Sequence, residues 1–152
     1  MNYLLDTNAC IALINGNPPS VRAKFRKATD LGGQVFVSSI ALFELWYGVA
    51  KSSRRDFNKK RLETFFAGPI HPLSFEDQDA EIAGVIRADL ESIGKPIGAY
   101  DLLIAGQAIR NKLTLITANL SEFARIKGLA WADWGRPYSC FSLGSFHSLL
   151  GS

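Results

Sequence analysis

The sequence predicts an α/β fold in which helices cover both faces of a central, mostly parallel sheet of four to five strands, a three-layer arrangement. Short apolar runs rich in leucine, isoleucine and valine alternate along the chain with stretches that carry apolar residues at helical spacing. A helix between two strands returns the chain to the same end of the sheet, so the strands run parallel. Polar residues directly follow the first and fourth runs, where such sheets place their ligand sites.

The first predicted element is a short buried strand at residues 3–5, which are aromatic or aliphatic. Asp6 follows, and Thr7 or Asn8 is expected to cap the helix that starts there. Residues 15–19 contain a glycine and two prolines and end this helix. Asp6 is therefore expected at the carboxyl end of the first strand.

A basic helix and a second strand come next. Residues 21–29 have amphipathic helical spacing, and the β-branched and aromatic residues 35–37 predict a strand. Ser38 or Ser39 is expected to cap a further helix, which runs to about residue 50 and carries Glu44 in its middle.

The central part of the chain predicts two helices that flank an edge strand. The first helix covers residues 55–66. Pro72 confines the strand at residues 70–73 to the sheet edge, because proline donates no backbone hydrogen bond. The second helix is expected to begin at Ser74 with a capping-box pattern that includes Asp77.

The remaining elements form a last helix and two strands. A loop with proline and glycine leads to Asp101, which is expected to open a helix of small residues at 102–109. Strands are predicted at residues 113–117 and 129–131, so that Thr117 ends the fourth strand.

The composition indicates one globular, mildly basic domain. The 152 residues are 47% hydrophobic and carry a net charge of +3, which excludes a disordered chain. Cys10 and Cys140 form no metal-binding spacing and read as reduced thiols. Asp6 interrupts the first apolar stretch, so neither a secretory signal nor a membrane span is expected, and the expected compartment is the cytoplasm.

Two clusters of basic residues stand out along the chain. The first contains Arg22, Lys24, Arg26 and Lys27, and the second contains Lys51, Arg54, Arg55, Lys59, Lys60 and Arg61. Such clusters fit a polyanionic partner, although a solvated helix face explains a basic run equally well.

Four acidic residues are each isolated from other charges. These acids, with their otherwise uncharged stretches, are Asp6 in residues 1–21, Glu44 in residues 35–50, Asp101 in residues 96–109 and Glu122 in residues 113–124. Isolation among apolar residues indicates burial, and a buried carboxylate needs a cationic partner, which no nearby Lys or Arg supplies. Carboxylates without His or Cys beside them favour Mg²⁺ or Mn²⁺ over zinc, which points to phosphate chemistry.

The sequence around each acid supports a functional role to a different degree. Asp6 and Glu44 favour a functional role, Asp101 is equally well explained as a helix N-cap, and Glu122 is better explained as a first-turn acid of a short helix. The side chains expected to hold a carboxylate or a metal-bound water by hydrogen bonds are Asn8, Ser38 and Thr117.

Four short motifs, taken in order, resemble the PIN-domain ribonucleases, and more narrowly the VapC toxins of bacterial type II toxin-antitoxin systems. The motifs are Leu5-Asp6-Thr7-Asn8, Ser38-Ser39-Ile40 with Glu44-Leu45 and Tyr47-Gly48, Tyr100-Asp101 with Leu103-Ile104-Ala105, and Thr117-Ala118-Asn119 with Glu122-Phe123. Residues 11–22 and 86–98 look closest to the enteric branch of this family.

The resemblance implies an Mg²⁺- or Mn²⁺-dependent endoribonuclease with Asp6, Glu44 and Asp101 as metal ligands. Many PIN domains have aspartate at a fourth acidic position, where this chain offers Asn119 and then Glu122, and Glu122 is expected to act there through a water. Two cations in such a site activate a water and stabilise the charge that develops during phosphodiester hydrolysis. The implied substrate is tRNA, and in the enteric branch it is the anticodon stem-loop of initiator tRNA.

The resemblance also implies partners and a domain boundary. It implies a homodimer that is held inactive by a VapB antitoxin, which binds operator DNA through its own N-terminal domain. The likeness runs from about residue 3 to residue 134. The expected PIN domain is therefore residues 1–134, with residues 135–152 as a C-terminal tail.

Two other functions stay open from the residues alone. A phosphatase with an aspartyl nucleophile also begins with a strand that ends in aspartate, but it would carry a second aspartate where this chain has Asn8. A non-enzymatic RNA-binding or regulatory module would account for the basic clusters.

Overall fold

A computed structural model describes residues 1–136, which form one five-stranded parallel sheet and seven helices. The strands are β1 (Tyr3–Leu5), β2 (Val35–Ser38), β3 (His71–Leu73), β4 (Thr114–Ile116) and β5 (Trp131–Ala132). The helices are α1 (Thr7–Asn15), α2 (Pro19–Asp30), α3 (Ser39–Lys51), α4 (Arg55–Phe66), α5 (Asp77–Ser92), α6 (Ala99–Arg110) and α7 (Leu120–Phe123). The α/β class that the sequence predicts is confirmed.

The strand order places β1, near the start of the chain, beside β4, which comes much later in the sequence. The order is β3-β2-β1-β4-β5, and every neighbouring pair is parallel. Leu5 of the central strand β1 is in register with Val37 on one side and Ile116 on the other. The chain builds one side of the sheet first and then crosses to the other, so the order reverses between β1 and β4. Parallel α/β sheets place their ligand crevice at such a reversal, beyond the carboxyl ends of the strands.

The hydrophobic core lies on both faces of the sheet, and this burial explains why the strand sequences are uninterrupted apolar runs. The strand residues Leu4, Leu5, Val35, Val37 and Leu115 have no exposed surface. A parallel strand is covered on both faces by its crossover helices, so both sets of alternating side chains are apolar. The edge position predicted for the strand with Pro72 is also confirmed, since β3 is the outermost strand.

Four helices, α1, α2, α5 and α6, begin at residues other than those that the sequence predicts. α2 begins at Pro19, two residues before the predicted residue 21. Asp6 itself caps α1, because its Oδ1 accepts the N–H of Ala9 at 2.7 Å, so the expected caps Thr7 and Asn8 lie inside the helix. α6 begins at Ala99, which places Asp101 at the third helical position and not at the N-cap.

The start of α5 is set by a buried aspartate. The helix begins at Asp77 after the N-cap Glu76, and not at Ser74. The carboxylate of Asp79 accepts the backbone N–H of Glu76 at 2.7 Å and also the Nε–H of Arg110 on α6. The second interaction joins two helices, which explains why the local Ser74 pattern did not locate the start.

Gly106 allows α5 and α6 to pack closely. A Cβ atom at Gly106 would lie 2.9 Å from the backbone nitrogen of Ala83 and 2.9 Å from the carbonyl oxygen of Asp79. These are backbone atoms of α5, so the helices would have to move apart to accept a methyl group. Gly84, on α5, is exposed, and a Cβ there would meet no atom within 4 Å.

We therefore expect Gly106→Ala and Gly84→Ala to change stability in opposite directions. Both changes give a better helix former, which contributes up to about 1 kcal/mol. Only Gly106→Ala overpacks the helix contact, and overpacking costs about 1–3 kcal/mol. Denaturant unfolding of the two variants measures the difference. Equal stabilisation by both would show that the two helices do not pack as closely as described.

The C-terminal tail predicted at residues 135–152 lies outside the described residues, apart from Gly135 and Arg136. In the described range, no helix is both long and apolar enough to span a bilayer.

Candidate active site

Asp6 is the most buried of the four isolated acids. It directly follows β1, and 5% of its surface is exposed. Burial raises the pKa of Asp6, whereas the side-chain hydrogen bond with Thr117 and the Ala9 N–H lower it. The charges of Glu44 and Asp133 raise the pKa of Asp6 further. The side chain is therefore held in a fixed orientation within a negatively charged environment.

Glu44 is held in place by a residue that is distant in sequence. It lies in the middle of α3 and is half-buried, and its Oε1 accepts the hydroxyl of Thr7 at 2.7 Å. Thr7 follows Asp6 at the start of α1, so this hydrogen bond fixes the α3 carboxylate beside the end of β1. The neighbouring aromatic residues Phe43, Trp46 and Tyr47 are exposed, so the lack of nearby charge did not indicate deep burial at this position.

Asp101 connects the α6 side of the site to the other acids. The pKa of Asp101 is raised from 3.8 to about 7, first by desolvation, then by the hydrogen bond and charge of Glu122, and then by the charges of Asp6 and Glu44. Asp101 is therefore close enough to the other three isolated acids for each of them to disfavour its ionised form.

The segment after β4 positions Glu122 by a chain of hydrogen bonds. The side-chain amide of Asn119 donates to Glu122 Oε2 at 3.0 Å, and the backbone N–H of Asn119 donates to Thr117 Oγ1 at 3.0 Å. Thr117 is almost fully buried and also bonds Asp6. This chain of contacts links the fourth acid to the first across the β1–β4 pair.

The other polar residues predicted to help in the site differ in their outcome. Thr117 and Asn119 contact the acids as described above. Ser38 is fully buried at the end of β2, but its hydroxyl accepts the N–H of Ile40 as the α3 cap. Asn8 is exposed, and within residues 1–136 no hydrogen bond links it to the four acids. The contact expected of Asn8 is made by Thr7, since helix α1 begins one residue earlier than predicted.

Asp133 is a further acidic residue that sequence reasoning left out of the site. Its Oδ1 accepts the N–H of Gly135 at 2.8 Å, its Oδ2 lies 3.3 Å from Arg136 Nε, and its charge acts on Asp6. Asp133 follows β5 directly, just as Asp6 follows β1. Because the strand was predicted at residues 129–131, Asp133 was not recognised as an acid that directly follows a strand.

The acids fit a hydrated hard cation better than a cage built by the protein alone. Among residues 1–136, no three His, Cys, Asp or Glu side chains are arranged to hold a single ion. Mg²⁺ is usually held by one or two carboxylates and keeps several waters or phosphate oxygens as its remaining ligands. The raised pKa of Asp101 reflects crowding of negative charge that a divalent cation would relieve. The donor set and its electrostatics therefore fit such an ion.

The raised pKa of Asp101 predicts a pH-dependent effect of metal on stability. Without a cation the folded protein holds this proton up to about pH 7, so its stability falls as the pH rises from about 4 towards 7. A divalent cation binds the ionised form, so we expect Mn²⁺ to raise the melting temperature more at pH 8 than at pH 5.5. Thermal denaturation at the two pH values tests this expectation. The Asp101→Asn variant serves as the control and should lose most of the difference, whereas an equal shift at both pH values in the unmodified protein would contradict it.

Comparison with known proteins assigns the chain to a family and finds relatives over most of its length. Residues 3–129 match the PIN domain family. The chain is 39% identical to the tRNA(fMet)-specific endonuclease VapC of Salmonella typhimurium over 134 residues, which cover 88% of this chain and 98% of that protein. It is 37% identical to Ribonuclease VapC2 of Rickettsia felis over 136 residues, which cover 90% of this chain and 100% of that protein.

Comparison with solved structures shows that the fold is similar to that of chains in VapBC structures. The structure of VapBC2 from Rickettsia felis bound to a promoter DNA fragment has a chain that superposes with a TM-score of 0.83 at 36% identity, covering 88% of this chain and 99% of that chain. DNA-bound VapBC from Salmonella typhimurium gives a TM-score of 0.80 at 39% identity, covering 88% of this chain and 98% of that chain.

Proposed function

This chain belongs to the PIN-domain family, and we propose that it is a VapC-type endoribonuclease, the toxin of a type II toxin-antitoxin system. The observation that carries the proposal is the cluster of Asp6, Glu44 and Glu122 around Asp101, close enough to raise its pKa, at the carboxyl edge of a parallel sheet. The VapC relatives named as ribonucleases match the chain over almost their whole length, which supports the same reaction here.

We propose Asp6, Glu44 and Asp101 as the ligands of Mg²⁺ or Mn²⁺, with no more than two of them on any one ion, and Glu122 as the fourth acid, which acts through a water. A bound divalent cation would supply Lewis acidity and neutralise the charge that develops on the phosphate. Thr7 and Thr117 keep Glu44 and Asp6 oriented by hydrogen bonds, so the protein does not have to reorganise during the reaction.

Asp101 is suited to exchange a proton near neutral pH. With a pKa of about 7, Asp101 without a bound cation is half protonated and half ionised near neutral pH. Glu122 hydrogen-bonds Asp101 and is itself oriented by the amide of Asn119. A divalent cation bound beside these acids would favour the ionised form of Asp101 by compensating the negative charge.

The proposed substrate is tRNA, and more narrowly the anticodon stem-loop of initiator tRNA. Two relatives at 38–39% identity are named tRNA(fMet)-specific endonucleases, from Salmonella typhimurium and Shigella flexneri. A protein that cleaves tRNA would act in the cytoplasm.

The proposed partners are a second copy of the chain and a VapB-type antitoxin. The structural relatives from Rickettsia felis and Salmonella typhimurium are VapBC assemblies bound to DNA. We propose that this chain reaches operator DNA only through its antitoxin. We also propose residues 1–134 as the PIN domain, because the family match covers residues 3–129 and the relatives match 134–136 residues of the chain.

The proposal is tested by incubating the purified protein with a panel of tRNAs, with Mg²⁺ or Mn²⁺ and with EDTA. We expect cleavage of initiator tRNA at a single loop position, which EDTA prevents and added Mn²⁺ restores. Cleavage that persists in EDTA would overturn the metal assignment, and no cleavage of any tRNA with either metal would overturn the ribonuclease assignment.

A further inference from the structure

Helix α4 presents a strongly basic surface. Its exposed basic residues, with those of the turn before it, are Lys51, Arg54, Arg55, Lys59 and Lys60, and Arg61 is half-buried beside them. The acidic side chains on the same stretch are Asp56 and Glu63, and Glu63 lies 3.9 Å from Lys59. The surface therefore keeps a large excess of positive charge, which attracts a polyanion.

An exposed aromatic ring lies within this basic surface. Phe57 is 48% exposed, and the guanidinium of Arg54 lies 4.0 Å from the centre of its ring. Arg61 lies 5.7 Å from the same ring centre. An aromatic face bordered by arginines is the usual platform on which single-stranded nucleic acids stack a base.

Two adjoining cavities lie between the α4 surface and the acidic site, and together they are called the groove below. One cavity of about 230 Å³ is lined by Glu44 on α3 and by Asn58 and Arg61 on α4. A second cavity of about 430 Å³ is lined by Phe57, Lys60 and Arg61. Both cavities share Ile14 and Arg61 as lining residues, so they lie next to each other between Glu44 and Phe57.

We propose that this groove and the basic face of α4 hold the single-stranded part of the RNA substrate next to the catalytic acids. Arg54, which lies 4.0 Å from the ring centre of Phe57, and Lys60, which lines the second cavity, face the RNA phosphates, and Phe57 stacks one base. This inference rests on the proposed function, since the acids define the end of the path at which a phosphodiester is cleaved. It also gives the second basic cluster a role that the sequence pattern left open.

The first basic cluster differs in its structural setting. Lys24 on α2 is buried, and its Nζ donates to the carbonyl of Arg136. Arg22 donates to the carbonyl oxygens of Leu13 and Ile14 at the end of α1. Half of this cluster therefore holds the fold together. Its exposed members Arg26 and Lys27 line neither cavity, so they provide a charge-matched control.

The test compares two double variants that remove the same charge from different helices. Binding of a fluorescent anticodon stem-loop RNA is measured in the Asp6→Asn background, so that the RNA stays intact. We expect Arg54→Gln with Lys60→Gln to weaken binding about tenfold near 0.15 M salt and to reduce the slope of log Kd against log salt by about 1.4, because each lost single-strand phosphate contact contributes about 0.7. Arg26→Gln with Lys27→Gln should change the affinity less than twofold.

Substitutions of Phe57 test the stacking separately from charge. Phe57→Leu keeps an apolar side chain but removes the ring, so we expect about tenfold weaker binding. Phe57→Tyr keeps the ring and should bind like the parent. In the otherwise unmodified enzyme, the α4 variants should raise KM and leave kcat within about twofold, and circular dichroism confirms that each variant is folded.

The outcomes separate this inference from the function on which it rests. If the unmodified protein cleaves RNA while the α4 variants behave like the α2 control, the RNA path is wrong and the ribonuclease assignment stands. Equal weakening by both double variants would mean that net charge alone attracts the RNA, which also overturns the path. If the unmodified protein neither cleaves nor binds RNA, both proposals fail.

Discussion

Asp6→Asn is expected to lower RNA cleavage roughly 100-fold or more while leaving the protein folded. A cation ligand that contributes several kcal/mol to the transition state accounts for a loss of this size. Asparagine caps helices about as well as aspartate, so the contact with the Ala9 N–H is retained. The neutral amide, however, removes one of the negative charges that bind the metal. Asp101→Asn should give a similar loss for the same reason.

The measurement is single-turnover cleavage of the tRNA substrate, with the melting temperature recorded for each variant. Asp30→Asn is the matched control, because Asp30 is an exposed carboxylate at the end of α2 that contacts none of the four acids. Cleavage by Asp6→Asn at the rate of Asp30→Asn would show that the proposed metal site is wrong.

Asp79→Ala is expected to give the largest loss of stability, about 2–4 kcal/mol. Asp79 has no exposed surface, and its carboxylate accepts hydrogen bonds from the backbone of Glu76 and from Arg110. The estimate combines the loss of a helix cap, typically about 1 kcal/mol, with the loss of a hydrogen bond to a charged group, about 1.5–3 kcal/mol. The first interaction caps α5, and the second joins the start of α5 to α6, which carries Asp101.

Asp77→Ala provides the comparison within the same helical turn. Asp77 is exposed, and removal of an exposed carboxylate usually changes stability by less than about 0.5 kcal/mol. Urea unfolding of both variants measures the two losses. If Asp79→Ala were no less stable than Asp77→Ala, the buried interaction would not hold the two helices together.

Local sequence signals predicted which elements are present more accurately than they predicted the residue at which each helix begins. The helix at residues 55–66 and the edge position of the strand with Pro72 are found as predicted, because helical periodicity and the missing N–H of proline are local properties of the chain. The predicted N-caps of α5 and α6, Ser74 and Asp101, lie two residues before and three residues after the observed N-caps, Glu76 and Gly98. The start of α5 depends on the Asp79–Arg110 interaction between residues 31 positions apart, which no local pattern reveals.

The isolated acids illustrate how far a lack of nearby charge can be interpreted. The absence of nearby charge correctly indicated burial for Asp6, which follows a central strand. For Glu44 the same signal was misleading, since the apolar residues around it are themselves exposed on the surface of α3. A helix turns its side chains in all directions, so apolar neighbours in sequence need not surround a residue in space.

The sequence by itself determined the α/β class, the family resemblance and the four candidate acids, because periodicity and short motifs are local properties of the chain. Only the tertiary structure decided which side chains meet. The reversal of strand order at β1 brings Thr7 to Glu44 across 37 positions and Thr117 to Asp6 across the β1–β4 pair. Such contacts depend on how distant segments pack against each other, and a local sequence pattern does not determine the free energy of that packing.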